Sequence, residues 1–593
     1  MKTAKSLCAG AAMISIEVVL ALACAAQDWA PAHHGSKRNP GQAAWSTYMG
    51  GAEVERITAA VADEAGNVFV TGYTAGDGNI ADPASHQPFR AGEWDAFLVK
   101  FDAAGKRIWG TYFGGDKMDL AYGLAISPSG EVLISGGTES ARGMTTAGAQ
   151  QTRLAGWMDA FVACFDADGR LRWSTYYGGS EFDVANGIAA GPDGSIAVFG
   201  STSSPSGIAT PGALQTAFGG GTTPTRGDAF LALFSSSGAL RWCTYFGGTA
   251  NELARATAID DSGRIFISGY ASSSSGIASH DGYQTAHGGL QDAFLGALSM
   301  EGDLLWSTYL GGPADEGADA LALLEDGAVA ISGWTESTSG ISSTGAHQEV
   351  IGGGSDGFLA VFESGGALRW STYYGGADYD GCNGLASFGS RITVCGGSVS
   401  DAGIATADAP RAMRAGGEDA FAAVFESGGA RLSGAYFGGE ANDEALAAAF
   451  LPAGIPVIAG WTSSGTGIAG AGSHQPVFGG GVSDGFIATP FAGNSAAVRD
   501  DGRYEQPSGF NIEIHPNPAR DRITLRAPSS IDPPAEIVAT DMLGSITFLR
   551  TVANSAPAGG YFQADISSLA PGLYTISFPD KAFIARATIL IMR

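Results

Sequence analysis

The chain has 593 residues and a formal net charge of −27, yet only 15% of its residues are charged, so its surface is weakly acidic and otherwise neutral. That balance argues against nucleic acid or an anionic membrane as partner and favours a cation or a neutral polymer. The 90 glycines recur at fixed turn positions between β-rich runs, which excludes a low-complexity chain.

At the N-terminus, Lys2 and Lys5 precede an apolar run over 12–23 and then small residues before Gln27. This reads as a secretory signal peptide, residues 1–26, cut near Ala25 or Ala26. Glu17 interrupts the run, and Ala21, Leu22 and Ala23 make a poor lipobox before Cys24. Residues 27–44 form a short lead-in, and no later stretch is long and apolar enough to span a bilayer, so an exported mature chain with no transmembrane segment is expected.

From Trp45 a unit of about 64 residues repeats seven times. Its marker, WSTYxGG, stands at 45–51, 109–115, 173–179, 242–248, 306–312 and 370–376, with a weaker copy at 433–439. Two further markers keep the same register. One is a strand ending in Gly, as at 67–72, 131–136, 264–269 and 455–460; the other is an Asp, a small residue and a Phe, at Asp95, Asp159, Asp228, Asp292, Asp356, Asp419 and Asp484. Each unit offers four short β runs, in one copy 171–177, 185–190, 195–201 and 228–234, with a tight turn between the second and third.

Four antiparallel strands repeated seven times predict an all-β, seven-bladed β-propeller over 45–491. The Gly- and Ala-rich run suits the innermost strand, where blades converge, and the Trp and Tyr run suits the outer rim. The first outer strand, 45–48, has no inner strands before it and the last copy has no outer strand, so the two ends should complete one blade between them. Four cysteines lie in the propeller. A hairpin turning at Phe388 and Gly389 would set Cys382 opposite Cys395, which an exported protein could join as a disulfide or keep as two small buried thiols.

These motifs, WSTYxGG with a GIA-type inner strand, a VxVxG strand and the DAF strand, resemble the SBBP repeat family, and the resemblance implies a seven-bladed propeller over 45–491. The weak seventh marker departs from it, with Ser433 for Trp and Ala435 for Thr.

Residues 492–508 read as a polar linker, and 509–593 as a small C-terminal β-sandwich. HPNPA at 515–519, the hairpin with Asp541 and Gly544, and DISSLAPGLY at 565–574 resemble the type A C-terminal sorting domain of type IX secretion. The resemblance implies that 509–593 engages the type IX secretion machinery, which carries the chain to the outer-membrane surface of a Gram-negative cell or beyond.

The seven copies act as an internal control, since a residue shared by all serves the blade and a ligand site should break the symmetry. Four residues after each GG lies an acid: Glu55, Asp119, Asp183, Glu252, Glu316, Asp380 and Asp443. With the DAF aspartates these put fourteen carboxylates on one face, where calcium could bind. The bland alternative, that each carboxylate accepts N–H bonds from a turn, is favoured because every copy shares it. Gln87, Gln151, Gln215, Gln284, Gln348 and Gln475 read as loop braces, with His86, His347 and His474 as tolerated neighbours.

Asymmetry appears at Trp94 and Trp157, just before two DAF strands, and at Tyr73, Tyr270, Trp334 and Trp461, which follow the strand-ending Gly. All six fall on the loop-bearing face, where flat aromatics suit sugar rings and Arg226, Arg411 or Arg414 could donate hydrogen bonds; blade packing is the bland reading. No nucleophile elbow, zinc motif or phosphate loop is present, and no cofactor is expected. The leading expectation is an exported binding protein for an extracellular polysaccharide or protein. The alternatives are a secreted carbohydrate-active enzyme and a structural surface-layer component.

Overall fold

The structure, a computed structural model, describes residues 25–26, 45–221 and 227–491, and seven strands between 513 and 591. Residues 1–493 and 494–593 form two separate units.

The first unit is a ring of seven four-stranded antiparallel blades. Blade 1 runs from its inner strand Glu55–Ala62 through Val68–Thr74 and Asp95–Phe101 to the outer strand Arg107–Phe113. The inner strands of blades 2 to 6 are Asp119–Ile126, Asp183–Ala190, Glu252–Ile259, Glu316–Leu323 and Asp380–Phe388. Blade 7 takes Asp443–Leu451, Ile455–Thr462 and Asp484–Ala488 from the end of the repeats and its outer strand, Ser46–Met49, from the beginning. The expected closure is therefore made, with Ser46 opposite Ala488 and Met49 opposite Gly485, and Trp45 N–H bonded to Thr489 Oγ1 at 3.0 Å. A two-residue strand, Ala25–Ala26, pairs parallel with Leu321 and Ala322; the rest of the expected signal peptide and the 27–44 lead-in lie outside the described residues.

Small inner residues are a steric requirement. A Cβ on Gly187 would stand 3.0 Å from Thr257 N on the next blade's inner strand. The cores lie between blades, such as the one joining Leu385, Val394 and Phe425 to Leu359 and Val361 of the preceding blade.

The WSTYxGG marker is explained position by position. The Trp indole of each outer strand reaches across to the turn between the third and outer strands of the next blade, and Nε1 donates to a carbonyl there at 2.7 to 3.1 Å: Trp45 to Ala103, Trp109 to Ala167, Trp173 to Ser236, Trp242 to Met300, Trp306 to Ser364 and Trp370 to Ser427. The ring lies over a turn glycine with positive φ, Gly105 under Trp45 at +80°, where a Cβ would collide with the indole. The departure at Ser433 follows from closure. A Trp there would reach toward the turn between the third and outer strands of blade 7, but no hairpin joins those two strands because the outer strand comes from the other end of the chain, and the position that corresponds to the clasped carbonyl, 492, lies outside the described residues.

Every inner strand carries a β-bulge three residues after its acid, and the sixth copy shows its effect on register. The hairpin turns at Gly389 and Ser390, with Phe388 opposite Arg391, and the bulge at Asn383 sets Cys382 opposite Gly396 and Gly384 opposite Cys395. This corrects the expected disulfide. Cys382 is buried in the core toward blade 5 and Cys395 in the core toward blade 7, on opposite faces of the sheet, so the two sulfurs are not joined.

In the second unit the strands pair antiparallel in the order Glu513–His515, Arg522–Arg526, Tyr561–Asp565, Ile546–Val552, Glu536–Asp541, Gly572–Ser577 and Arg586–Ile591. Among the described residues no helix is long and apolar enough to cross a membrane.

Candidate functional site at the channel mouth

The loop-bearing face is built on a brace repeated from blade to blade. The second glycine of each GG donates its N–H to the acid four residues on, at 2.6 to 2.9 Å. Thr or Ser hydroxyls from the second strand add further bonds, as Thr74 to Glu55 at 2.7 Å and Ser204 to Asp183 at 2.8 Å. All seven acids, Glu55, Asp119, Asp183, Glu252, Glu316, Asp380 and Asp443, are fully buried. Burial pushes the carboxyls up, to about 6 for Asp119, Asp183 and Asp443 and about 7 for Glu252, against the donated hydrogen bonds that lower them.

The DAF aspartates brace the long loops in the same way. Asp159 accepts N–H bonds from Ala155 and Gly156 at 2.8 Å and the Gln151 amide at 2.6 Å, and Gln151 Oε1 takes the Gly178 N–H at 3.0 Å. The carboxylates thus hold turns. Among the described residues no group of three or more His, Cys, Asp or Glu side chains is placed to hold a metal ion.

Blade 6 puts Arg411 where the others have the bracing Gln, its backbone carbonyl still accepting from Tyr436 N–H at 3.1 Å as Gln151 accepts from Tyr176. Arg414 pairs with Asp401 at 2.8 Å and clasps its own loop. Arg226 lies outside the described residues. His86 and His347 pack edge-on against Phe165 and Phe425 of the following blades.

Where blades differ, the side chains gather at the mouth of the central channel. The residue before each DAF Asp gives its carbonyl to the N–H of the next blade's inner-strand acid, as Trp94 to Asp119 at 2.8 Å and Glu418 to Asp443 at 2.8 Å, which makes a rim. Inside the rim stand the residues that follow the acids and the strand-ending glycines, and deeper still the bulge residues Thr58, Tyr122, Asn186, Arg255, Asp319, Asn383 and Leu446. The bulge residues reach from blade to blade: Thr58 Oγ1 donates to Ala121 O at 2.8 Å and Asn186 Nδ2 to Ala254 O at 2.7 Å.

The mouth has two unlike walls. Blades 1 to 3 supply an aromatic and apolar wall of Tyr73, Tyr122, Met158, Phe182 and Val184, with Trp94 against Tyr73 at 5.6 Å between ring centroids. Blades 4 to 7, joined by Arg56 of blade 1, supply charge. Arg255 Nε is 3.1 Å from Asp319 Oδ1, both residues about 95% buried, and the guanidinium lies 4.8 Å over the Tyr270 ring. Arg56 lies 4.7 Å over Trp461, whose Nε1 donates to Glu444 at 2.8 Å; Asn383 donates to the same carboxylate at 2.8 Å. Glu418 faces Glu444, and burial with that charge pushes Glu418 up to about 8.

Of the residues proposed from sequence, Tyr73, Trp94, Tyr270 and Trp461 therefore come together at the mouth, each against another ring or a guanidinium. Trp334 is half-buried against its own inner strand at Gly317. Trp157 sits one position earlier relative to its DAF Asp than Trp94, and this turns it outward: it is 42% exposed and leans on Phe182 at 5.1 Å. Sequence reasoning missed Arg56, Tyr122, Asn186, Arg255, Asp319, Glu418 and Glu444. Their signal was variation at three register positions: three residues after the inner-strand acid for Tyr122, Asn186, Arg255 and Asp319, one residue after it for Arg56 and Glu444, and just before the DAF Asp for Glu418.

Residues 513–591 match the secretion system C-terminal sorting domain family. Residues 513–591 are therefore a C-terminal sorting domain, which implies export to the cell surface or the extracellular space. The regulatory protein FlaEY of Caulobacter vibrioides is 25% identical over 308 residues, covering 48% of this chain and 30% of its own length. Solved structures with a similar course include Sqt1 from Chaetomium thermophilum (12% identity, TM-score 0.35, covering 76% of this chain and 99% of that one). Others are PorZ, a surface component of the type IX secretion system of Porphyromonas gingivalis (12%, 0.27, 89% and 69%), and the phage phi92 endosialidase (8%, 0.34, 92% and 87%).

Proposed function

We propose that this exported propeller is a binding protein that recognises an extracellular polysaccharide through its loop-bearing face. The observation that carries the reading is the break in symmetry on that face. The braces repeat from blade to blade, whereas the side chains free to meet a ligand differ, with apolar and aromatic groups set outward on the loops around a two-walled mouth. Phe89, Val350, Met413 and Val477, each two residues past the brace, are 67% to 80% exposed, and Trp157 joins them. Scattered apolar groups on a rigid, weakly acidic disc suit stacking and apolar contact with sugar rings better than an anionic polymer. Retention on insoluble polysaccharides tests this: the intact chain should be retained by at least one, and Phe89→Ala with Trp157→Ala should abolish retention without lowering Tm. Retention of a protein partner by the same face, with none for any polysaccharide, would replace the reading.

One observation favours a second reading, a secreted carbohydrate-active enzyme. Glu418 faces Glu444, and burial together with the Glu444 charge raises Glu418, while Trp461, Arg56 and Asn383 work against the rise at Glu444; an unequal carboxylate pair of this kind is what acid–base hydrolysis uses. Release of soluble sugar from a retained polymer, lost in Glu444→Gln, would establish it.

A further inference from the structure

Three side-chain atoms of two residues deep in the channel mouth have no hydrogen-bond partner. Asn186 and Arg255 are the bulge residues of adjacent blades, 98% and 95% buried. Because Ala254 O can only accept, the Asn186 amide must turn Nδ2 toward it, and Oδ1 is left as a buried acceptor with nothing to accept from. Arg255 sets Nε 3.1 Å from Asp319 Oδ1 as an ion pair without hydrogen-bond geometry and spends Nη2 on Tyr270 Oη at 2.5 Å, and Nε and Nη1 are both left as buried donors without a hydrogen-bond acceptor. The Asn186 amide is bonded to the residue immediately before Arg255, so the two residues stand on adjoining inner strands. Orphaned buried polar atoms are costly, and an unmet acceptor and unmet donors on adjoining strands of a functional cleft call for a ligand that supplies both partners.

The surroundings narrow the ligand's chemistry. An anion meeting Arg255 would also meet Asp319 and the Glu444 charge that acts on it. A cation meeting Asn186 Oδ1 would meet the guanidinium. What fits is a neutral group with an acceptor and a donor on adjacent atoms and an apolar end, since Tyr122 and Val184 of the aromatic wall flank Asn186. An acetamido group has this composition: its carbonyl would accept from Arg255 Nη1, its N–H would donate to Asn186 Oδ1, and its methyl would turn to the apolar wall.

The geometry points to a subsite for an N-acetylated sugar at the channel mouth, formed by Asn186, Arg255, Tyr122 and Val184. This deepens the polysaccharide-binding reading and rests on it.

The test titrates the full chain with N-acetylglucosamine and chitotetraose against glucose and cellotetraose, which differ at C2 by the acetamido group alone, and reads calorimetric affinity and Tm. The acetamido sugars should bind and the hydroxyl sugars should be weaker by about tenfold or more. Arg255→Lys, which keeps the charge facing Asp319 but removes the planar fork, should erase that preference, and Asn186→Ala should do the same; each also gives up a buried hydrogen bond, so the preference between the two sugar series, and not the ligand-free Tm, is the readout. Equal affinity for both sugar series, no binding of either, or a preference that survives Arg255→Lys and Asn186→Ala would overturn the subsite. If the chain is nonetheless retained on a polysaccharide through Phe89 and Trp157, the subsite alone is wrong; if nothing retains it, the binding reading fails too.

Discussion

Asp183 shows what a single repeated residue does. It accepts from Gly179 N–H and from two hydroxyls with no exposure to water, so Asp183→Ala should strand three donors and destabilise the propeller by about 1–3 kcal/mol, read as a lower Tm. Trp157→Ala, at an exposed position, should stay within about 0.5 kcal/mol of the parent. The contrast separates brace from ligand residue by stability alone. At this scale the sequence was a good guide to what all copies share, since seven identical placements forced the turn-bracing reading of the acids. It was a poor guide to Asn186, Arg255 and Asp319, because a bulge position is marked by no motif and the reach of a side chain into the channel depends on the one extra residue there. The same extra residue, with the turn one position later, undid the Cys382 and Cys395 pairing. A reductant should accordingly leave the Tm unchanged, and a fall in Tm would restore the bridge.

Among elements, the outer strands do two jobs: they end one blade and clasp the next. Trp306 is 6% exposed, and Trp306→Ala should cost about 3–5 kcal/mol, the range for a buried aromatic. Ser433→Trp should give no stabilisation even though it restores the repeat marker, because in blade 7 no hairpin turn joins the third strand to the outer one, which comes from the other end of the chain. A gain in Tm from that change would mean the clasp has another partner. The strand pattern, the inner and outer assignment and the shared seventh blade were all legible, since the periods of glycine and of the marker fix them. The reason for the missing seventh Trp was not, because it depends on which strand supplies the turn, a fact of connection rather than composition.

For the whole molecule, the buried carboxyls set a direction for pH. Asp119, Asp183, Asp228 and Asp443 lie near 6 and Glu252 and Asp484 near 7, all above their ordinary values, with burial the leading cause. The folded state therefore holds protons that the unfolded chain releases, and their contribution is full below the ordinary carboxylate range and lost as pH rises through 6 and 7. Tm should be higher at pH 5 than at pH 8. A lower Tm at pH 5 would mean that the donated N–H bonds outweigh burial and hold the acids ionised.

Closure also has a consequence in time. Trp45 and Thr489, 444 residues apart, meet in the same blade, so the first blade strand to leave the ribosome waits for the last blade strand to be made. Bringing such distant ends together costs on the order of 5 kcal/mol of chain entropy, recovered only when the last blade is in place. Every shorter chain is an open horseshoe with a bare strand edge at each end. Completion of the ring thus reports that the whole disc has been made, and a truncated product announces itself to proteases by the edges it cannot cover.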